Sequence, residues 1–194
     1  MDSNNALKAI GLCGSHRSGK TTLAGLLAEK TGLPFIKTNT SGVFKRAGLD
    51  PAAPMDAETR LSIQNLVLDA AIEEWIKAGI GGFITDRTPL DMIAYTMADI
   101  QGTTRIDEQG FSGYIQRCFK AANRFFKLIV VIQPGIPLVK AEGKAALNTA
   151  YLEHLNSLVL GLCADERLEI PCLQIPRATL GLEMRVDFIL KRTL

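Results

Sequence analysis

Two glycines, a lysine and a threonine near the start of the chain have the types and the spacing that phosphate binding requires. Residues 14–21 read Gly-Ser-His-Arg-Ser-Gly-Lys-Thr and fit the pattern G-x-x-x-x-G-K-[ST]. The two glycines let the backbone turn where a side chain would collide with a phosphate, so that successive N–H groups point into one concavity. The lysine reaches the β- and γ-phosphates of a nucleotide, and the hydroxyl that follows it can ligate Mg²⁺.

We therefore expect this loop, known as the P-loop or Walker A motif, to bind ATP with Mg²⁺. Lys20 is also a candidate catalytic residue, because phosphoryl transfer needs the phosphate charge to be neutralised. The residues expected to contact the nucleotide are Gly14, Ser15, His16, Arg17, Ser18, Gly19, Lys20, Thr21 and Thr22.

The segments on both sides of the loop have the periodicity that such a site needs. Residues 9–13 form a short apolar run, which predicts a buried strand. Residues 22–30 carry leucines at helical spacing, and Gly32 follows as a helix stop. The order strand, loop, helix places the phosphates at the positive end of a helix.

Apolar strands alternate with helices along the rest of the chain. We predict one α/β domain over residues 1–194, a P-loop NTPase fold with a parallel five-stranded sheet and helices on both faces. The predicted strands are 9–13, 33–37, 82–85, 128–132 and 171–175, and residues 101–113 are predicted to be a loop or a broken helix. The other predicted helices are 42–47, 57–78, one that begins at Thr88-Pro89, 114–126, one that ends near Cys163, and a last one that carries Leu182 and Leu190.

Ligands of parallel sheets lie beyond the carboxyl ends of the strands. This rule gathers the P-loop, Lys37 after the second strand, and Asp86-Arg87 after the third at one edge. The acid–arginine step argues against two other P-loop classes. A GTPase should have a D-x-x-G switch after its third strand, where this chain has Asp86-Arg87-Thr88-Pro89, and an N-K-x-D motif, which the chain lacks. A motor or AAA-type ATPase usually has paired acids after its third strand, whereas here Asp86 is followed by arginine.

The P-loop together with Asp86-Arg87-Thr88 resembles the P-loop nucleoside and nucleotide kinases, which include thymidylate, deoxynucleoside and ribosylnicotinamide kinases. The run 84–95, Ile-Thr-Asp-Arg-Thr-Pro-Leu-Asp-Met-Ile-Ala-Tyr, is similar to phage-encoded kinase-like ATPases of this group. The resemblance implies that Asp86 is the general base on the acceptor hydroxyl or an outer ligand of Mg²⁺, beside Thr21 as a metal ligand. It also implies that Arg87 binds the acceptor or the transferred phosphate.

The segment that corresponds to the family's arginine-rich lid departs from the family pattern. Residues 135–144 contain no arginine, although Lys140 and Lys144 supply two positive charges and Gly135 and Gly143 permit a hinge. The two lysines either close over the phosphates or are solvated loop residues.

A basic stripe, formed by Arg117, Lys120, Arg124 and Lys127, has helical spacing and lies close to aromatic residues. Residues 105–127 contain five basic and two acidic side chains, a net charge of +3. Such a stripe suits a nucleic-acid backbone and a stacked base, but it equally suits a solvated helix face. Arg46 and Arg60 precede the third strand, where kinases of this family contact the acceptor.

Composition and net charge argue against several other classes of protein. The net charge of +2 over 194 residues indicates no general affinity for nucleic acid. No apolar run reaches the roughly 18 residues of a membrane span, the N-terminus lacks the apolar core of a signal peptide, and the four cysteines lack metal-site spacing. We expect a cytoplasmic protein, in the host cytoplasm if the gene belongs to a phage.

These patterns together predict an ATP-dependent kinase with a nucleoside-type acceptor. The acceptor is either a free nucleoside or nucleotide, or a 5-hydroxymethyluracil base in phage DNA, because phage relatives phosphorylate that base on the way to hypermodified DNA. A different hypothesis is a non-catalytic module in which ATP binding switches a partner contact, although such a switch has no need for a base at Asp86.

Overall fold

The computed structural model describes residues 9–51, 53–79, 81–136 and 148–193. Its centre is a five-stranded parallel sheet with the strand order β2-β3-β1-β4-β5, which confirms the predicted fold class. The strands are β1 (Ala9–Cys13), β2 (Phe35–Ile36), β3 (Ile84–Thr85), β4 (Phe126–Ile132) and β5 (Cys172–Ile175). The P-loop strand β1 therefore lies in the middle of the sheet, between β3, which Asp86 directly follows, and β4, the longest strand.

Seven helices connect these strands in the described part of the chain. They are α1 (Lys20–Thr31), α2 (Thr40–Arg46), α3 (Ala57–Lys77), α4 (Pro89–Met97), α5 (Glu108–Phe125), α6 (Thr149–Cys163) and α7 (Leu182–Thr193). Side-chain caps set several helix starts: Asp56 accepts a hydrogen bond from the Thr59 N–H, and Asn148 accepts one from the Tyr151 N–H.

The start of helix α5 differs from the prediction. Helix α5 begins at Glu108, whereas residues 101–113 are predicted to be a loop or a broken helix, with the regular helix beginning at Tyr114. Asp107 caps this helix by accepting the N–H of Gln109 at 3.1 Å, and the first turn contains the acidic Glu108. Capping and the helix dipole therefore outweigh the cost of two glycines, which is about 1 kcal/mol each.

The two faces of the sheet bury different sets of side chains. On one face, Leu12 and Ile132 pack with Leu27 of α1 and Val186 of α7. On the other face, the fully buried Trp75 of α3 packs edge-on against Phe126, with 5.1 Å between the ring centroids. Because both faces of β1 and β4 are covered, these strands are almost entirely apolar, as expected for a parallel sheet.

The four cysteines are free thiols. Burial raises the pKa of Cys118 to about 12, which leaves this thiol protonated and unreactive at neutral pH. No helix within the described residues is long and apolar enough to cross a membrane.

Candidate active site

The P-loop begins where β1 meets the carboxyl end of β4. Gly14 has a φ of +136°, and a Cβ atom placed on it would lie 2.3 Å from the carbonyl oxygen of Ile132. Gly19, with a φ of +87°, ends the loop directly before α1. Both conformations favour glycine, so the two glycines of the motif are required by the loop itself as well as by a bound phosphate.

Lys20 is folded back onto the loop that it belongs to. Its Nζ donates hydrogen bonds to the carbonyl oxygens of Gly14 at 2.7 Å and Ser15 at 2.8 Å. Burial lowers the pKa of Lys20, while the carboxylate of Asp91 opposes that shift. The amine is thus held under the loop, in position to exchange carbonyl oxygens for phosphate oxygens.

Two hydroxyl groups of the loop are buried and have no partner among the described residues. The side chains of Ser15 and Ser18 are 1% and 3% exposed, and neither Oγ has a hydrogen-bond partner there. An unsatisfied buried hydroxyl costs about 1–3 kcal/mol, and an anionic ligand in the loop would offer acceptor oxygens to both. This feature fits the polyphosphate of a nucleotide.

Thr21 and Asp86 meet at the mouth of the loop. The hydroxyl of Thr21, in the first turn of α1, donates a 2.6 Å hydrogen bond to Oδ2 of Asp86, directly after β3. Mg²⁺ prefers oxygen ligands and keeps several waters or phosphate oxygens, so a threonine hydroxyl and one carboxylate fit its needs. Within the described residues no cluster of three histidine, cysteine or acidic side chains could hold a metal ion.

Arg87 points towards a ring cluster beside the P-loop. Its Cζ lies 5.3 Å from the centre of the Tyr95 ring, and the Tyr95 hydroxyl lies 3.3 Å from Nδ1 of His16. Burial opposes the charge of Arg87, but Asp91, Tyr95 and Asp86 together raise its pKa above the ordinary value. The guanidinium is therefore a permanent cation at the boundary between the P-loop and the next cavity.

That cavity, which we name the acceptor cavity, has a volume of about 310 Å³. His16 and Arg87 form its wall towards the P-loop, and Arg60 enters it from α3, where its Nε lies 2.6 Å from Oδ2 of Asp99. Among its other lining residues are three planar rings and one amide, from Phe44, Tyr95, Tyr151 and Gln64, together with Thr40, Pro51, Val67, Met92 and Asp99. Of the predicted acceptor ligands that precede β3, only Arg60 lines this cavity; Lys37 and Arg46 are exposed and lie outside its lining.

A second cavity, which we name the donor cavity, lies on the other side of His16 and measures about 480 Å³. Residues 15–18 of the P-loop form one wall, and Arg177 of the segment after β5 forms another, joined through both guanidinium NH₂ groups to the carboxylate of Glu153 at 2.5 and 2.6 Å. Arg185 of α7 supports the same region: it donates to the carbonyl oxygen of Ser18 at 3.1 Å. His16 lines both cavities, so the P-loop separates them.

Asp91 is a residue of the site that the sequence indicates only as one member of the run 84–95. It is fully buried, and its Oδ1 accepts the backbone N–H of Gly14 at 2.9 Å. Its Oδ2 accepts the N–H and the hydroxyl of Thr88 at 2.9 and 3.1 Å, which completes a capping box at the start of α4. The spacing Thr-x-x-Asp is the signal for the capping box, but no local pattern indicates the bond to Gly14.

The basic stripe is not brought to the site. Arg117 is bonded to Asp69 and Asn65 of α3, and the guanidinium of Arg124 lies 5.0 Å from the Phe125 ring. Arg124 comes just before β4, whose carboxyl end reaches the P-loop, so about 20 Å of strand separates the two. Arg117, Lys120 and Arg124 are not among the described residues that line the acceptor cavity, so their role as acceptor ligands stays a prediction. Lys140 and Lys144 lie outside the described residues.

The comparisons with known proteins agree with this geometry. A family model described as "AAA domain" matches residues 9–130. The name of this family model also covers AAA-type ATPases, a class that the Asp86-Arg87 step of this chain argues against. The similar solved structures include several kinases. No curated protein matches the chain in sequence.

One similar structure is a deoxyadenosine kinase from M. mycoides with dCMP and dCDP: TM-score 0.67, 17% identity, coverage of 95% of this chain and 97% of that one. A thymidylate kinase from Candida albicans has a TM-score of 0.65 and 16% identity, with coverage of 96% and 91%. A NadR protein in complex with NAD and AMP-PNP has a TM-score of 0.65 and 18% identity, but this chain spans only 49% of it. At such identities the likeness establishes the fold. The chain belongs to the family of the AAA domain model, and its fold is that of the P-loop nucleoside and nucleotide kinases.

Proposed function

We propose that the protein is a magnesium-dependent kinase that transfers the γ-phosphate of ATP to a nucleoside-type acceptor. The observation that carries this proposal is the contact between Thr21 and Asp86, 2.6 Å long, at the point where the P-loop faces the cavity that contains Arg87. A metal ligand, a carboxylate and an arginine at the mouth of a phosphate loop are the groups that phosphoryl transfer requires.

The donor side binds and neutralises the nucleotide. Backbone N–H groups of the P-loop and the hydroxyls of Ser15 and Ser18 donate to phosphate oxygens, and Lys20 supplies a buried positive charge. Bound Mg²⁺ supplies further neutralisation of the phosphate charge, with Thr21 as its protein ligand. The donor cavity, between residues 15–18 and Arg177, accommodates the nucleoside part of ATP.

The acceptor side aligns a hydroxyl and takes its proton. We assign the proton of the acceptor hydroxyl to Oδ1 of Asp86, the carboxylate oxygen that does not accept the Thr21 hydroxyl. Arg87 donates to the transferred phosphate or to a phosphate of the acceptor. Alignment of the two reactants and electrostatic stabilisation then supply most of the rate.

The lining of the acceptor cavity favours a nucleoside. Phe44 and Tyr151 offer ring faces on which a base can stack, and the amide of Gln64 offers one donor group and one acceptor to a base edge. Arg60 supplies a positive charge beside them. A free nucleoside or nucleotide is therefore the acceptor that we propose first.

A 5-hydroxymethyluracil base within phage DNA is the second candidate. It is favoured by one observation: Arg60 and Asp99 also line a neighbouring cavity of about 330 Å³, which contains Arg105 and offers a path for a strand attached to a flipped base. The placement of the basic stripe away from the site gives it no support.

The test is a transfer assay with γ-labelled ATP and Mg²⁺. One arm contains nucleosides and nucleoside monophosphates, and the other contains single- and double-stranded DNA with and without hydroxymethylated pyrimidines. Label in a small product establishes the first acceptor, and label only in hydroxymethylated DNA establishes the second. Binding of ATP without label in either arm would contradict the kinase and favour the nucleotide-dependent switch.

A further inference from the structure

Asp91 lies between the P-loop and the segment that follows β3, and the proposed function gives it no role. Its carboxylate is fully buried, yet none of its oxygens contacts a cation directly among the described ion pairs. Instead it accepts three hydrogen bonds, one from the Gly14 N–H and two from Thr88. A buried carboxylate is costly unless its oxygens are satisfied, so these bonds define where its donors lie.

The two donors belong to the two halves of the active site. Gly14 opens the P-loop, and Thr88 directly follows the Asp86-Arg87 pair. Gly14 and Asp91 are 77 positions apart in the chain, so no local structure would hold these two residues together. The same carboxylate also acts on the charges of both halves, because it favours the protonated form of Lys20 and of Arg87.

We propose that Asp91 is a positioning residue that fixes the entry of the P-loop against the acceptor-side segment. This inference rests on the proposed function for its effect on catalysis. The first N–H of the P-loop is held by a carboxylate that is itself fixed by the cap of α4. The phosphate-binding loop and Arg87 are therefore held in one geometry before any ligand arrives, which reduces the cost of ordering them on binding.

The decisive variant is Asp91→Asn, which preserves the side-chain shape. An asparagine has one carbonyl oxygen, so its NH₂ group must face either the Gly14 N–H or the Thr88 donors, and one set of hydrogen bonds is lost. We expect the affinity of the folded variant for MgADP to fall about tenfold or more, as for the loss of a charge-assisted hydrogen bond. We also expect kcat to fall under saturating substrates.

The control is Asp107→Ala, which removes the side-chain cap of α5 at a position outside the lining of both cavities and leaves every bond of Asp91 in place. It should lower Tm while the affinity for MgADP stays close to that of the original protein. If the folded Asp91→Asn variant binds MgADP as well as Asp107→Ala does, Asp91 is only a helix cap and the inference is wrong.

A second measurement does not depend on the folding of any variant or on nucleotide binding. In the ¹⁵N-labelled protein without nucleotide, the Gly14 amide should exchange its hydrogen slowly, because a buried carboxylate holds it. Fast exchange at Gly14 beside protected amides of β1 would overturn the inference. Failure of the original protein to bind MgADP would instead contradict the proposed function, and the amide measurement would still decide the role of Asp91.

Discussion

The hydroxyl of Thr21 and the carboxylate of Asp86 are bonded at 2.6 Å although 65 positions separate them in the chain. One follows the lysine of the P-loop, and the other follows β3. The contact exists because β1 and β3 are parallel neighbours in the sheet, with Gly11 paired to Thr85. It joins the proposed metal ligand to the proposed base, and the first prediction tests this division of roles.

Asp86→Asn should abolish phosphoryl transfer while the affinity for MgADP stays nearly unchanged. The amide cannot accept the proton of an acceptor hydroxyl, and general-base catalysis is worth about 10²–10⁴ in rate. The measurement is kcat at saturating ATP, acceptor and Mg²⁺, together with a binding titration of MgADP.

The magnesium dependence separates the two roles of Asp86. Recovery of kcat at high Mg²⁺ would show that the carboxylate serves the metal and not the acceptor. Asp69→Asn is the control. Asp69 lies exposed on α3, where it is paired with Arg117 of α5, and loss of its charge should leave kcat unchanged.

Gly14→Ala should destabilise the protein and remove nucleotide binding. The new Cβ would lie 2.3 Å from the carbonyl oxygen of Ile132, at a φ of +136° that other residues rarely adopt. We expect a loss of about 2–4 kcal/mol in the free energy of unfolding, measured by urea titration.

Gly25→Ala is the matched control for that substitution. Gly25 lies inside α1, and a Cβ atom there meets nothing within 4 Å. The exchange should stabilise the protein by roughly 0.5–1 kcal/mol, because alanine is the better helix former. If both variants had the same stability and the same affinity for MgADP, the strained turn at Gly14 would not be needed.

Nucleotide affinity should fall as the pH rises through the pKa of Lys20. Burial lowers this pKa from its ordinary value near 10.5, and only the protonated amine attracts phosphate. Affinity is therefore complete below the lowered pKa and is lost above it, at a lower pH than an exposed lysine would give.

The pH profile of MgADP binding, measured by calorimetry, checks this expectation. Lys30→Met is the control, because Lys30 is in the same helix but is paired with Glu183, which raises its pKa. An unchanged affinity up to the ordinary lysine pKa would contradict the role of the buried amine.

Arg60→Met should raise the KM for the acceptor about tenfold, whereas Arg117→Met should not change it. Both arginines are paired with a carboxylate, Arg60 with Asp99 and Arg117 with Asp69, but Arg60 lines the acceptor cavity with a side chain that is 15% exposed. Arg117 is 45% exposed and is not among the residues that line that cavity. A tenfold change corresponds to about 1.4 kcal/mol, which is ordinary for one charged contact. Steady-state kinetics with varied acceptor distinguishes the two variants, and equal KM values would exclude Arg60 from the acceptor site.

Much of the fold follows from local patterns. Periodicity locates β1 without error and α3 to within one residue of its end, since both are strongly apolar on the faces they bury. The P-loop is recognisable because glycine at fixed positions is a backbone requirement, and both of its glycines have a positive φ. The start of α5 is less predictable, because the cap at Asp107 competes with two glycines.

The sequence by itself determined the identity of the phosphate loop, the parallel class of the sheet and the edge at which Asp86 and Arg87 emerge. Only the tertiary structure decided that Arg60 lines the acceptor cavity while Arg117 is bonded to Asn65 of α3, and that Asp91 holds the N–H of Gly14. The reason is physical. Strand ends and loop glycines are specified by neighbours in the chain, whereas these contacts join segments far apart in sequence and depend on how α3, α4 and α5 pack on the sheet.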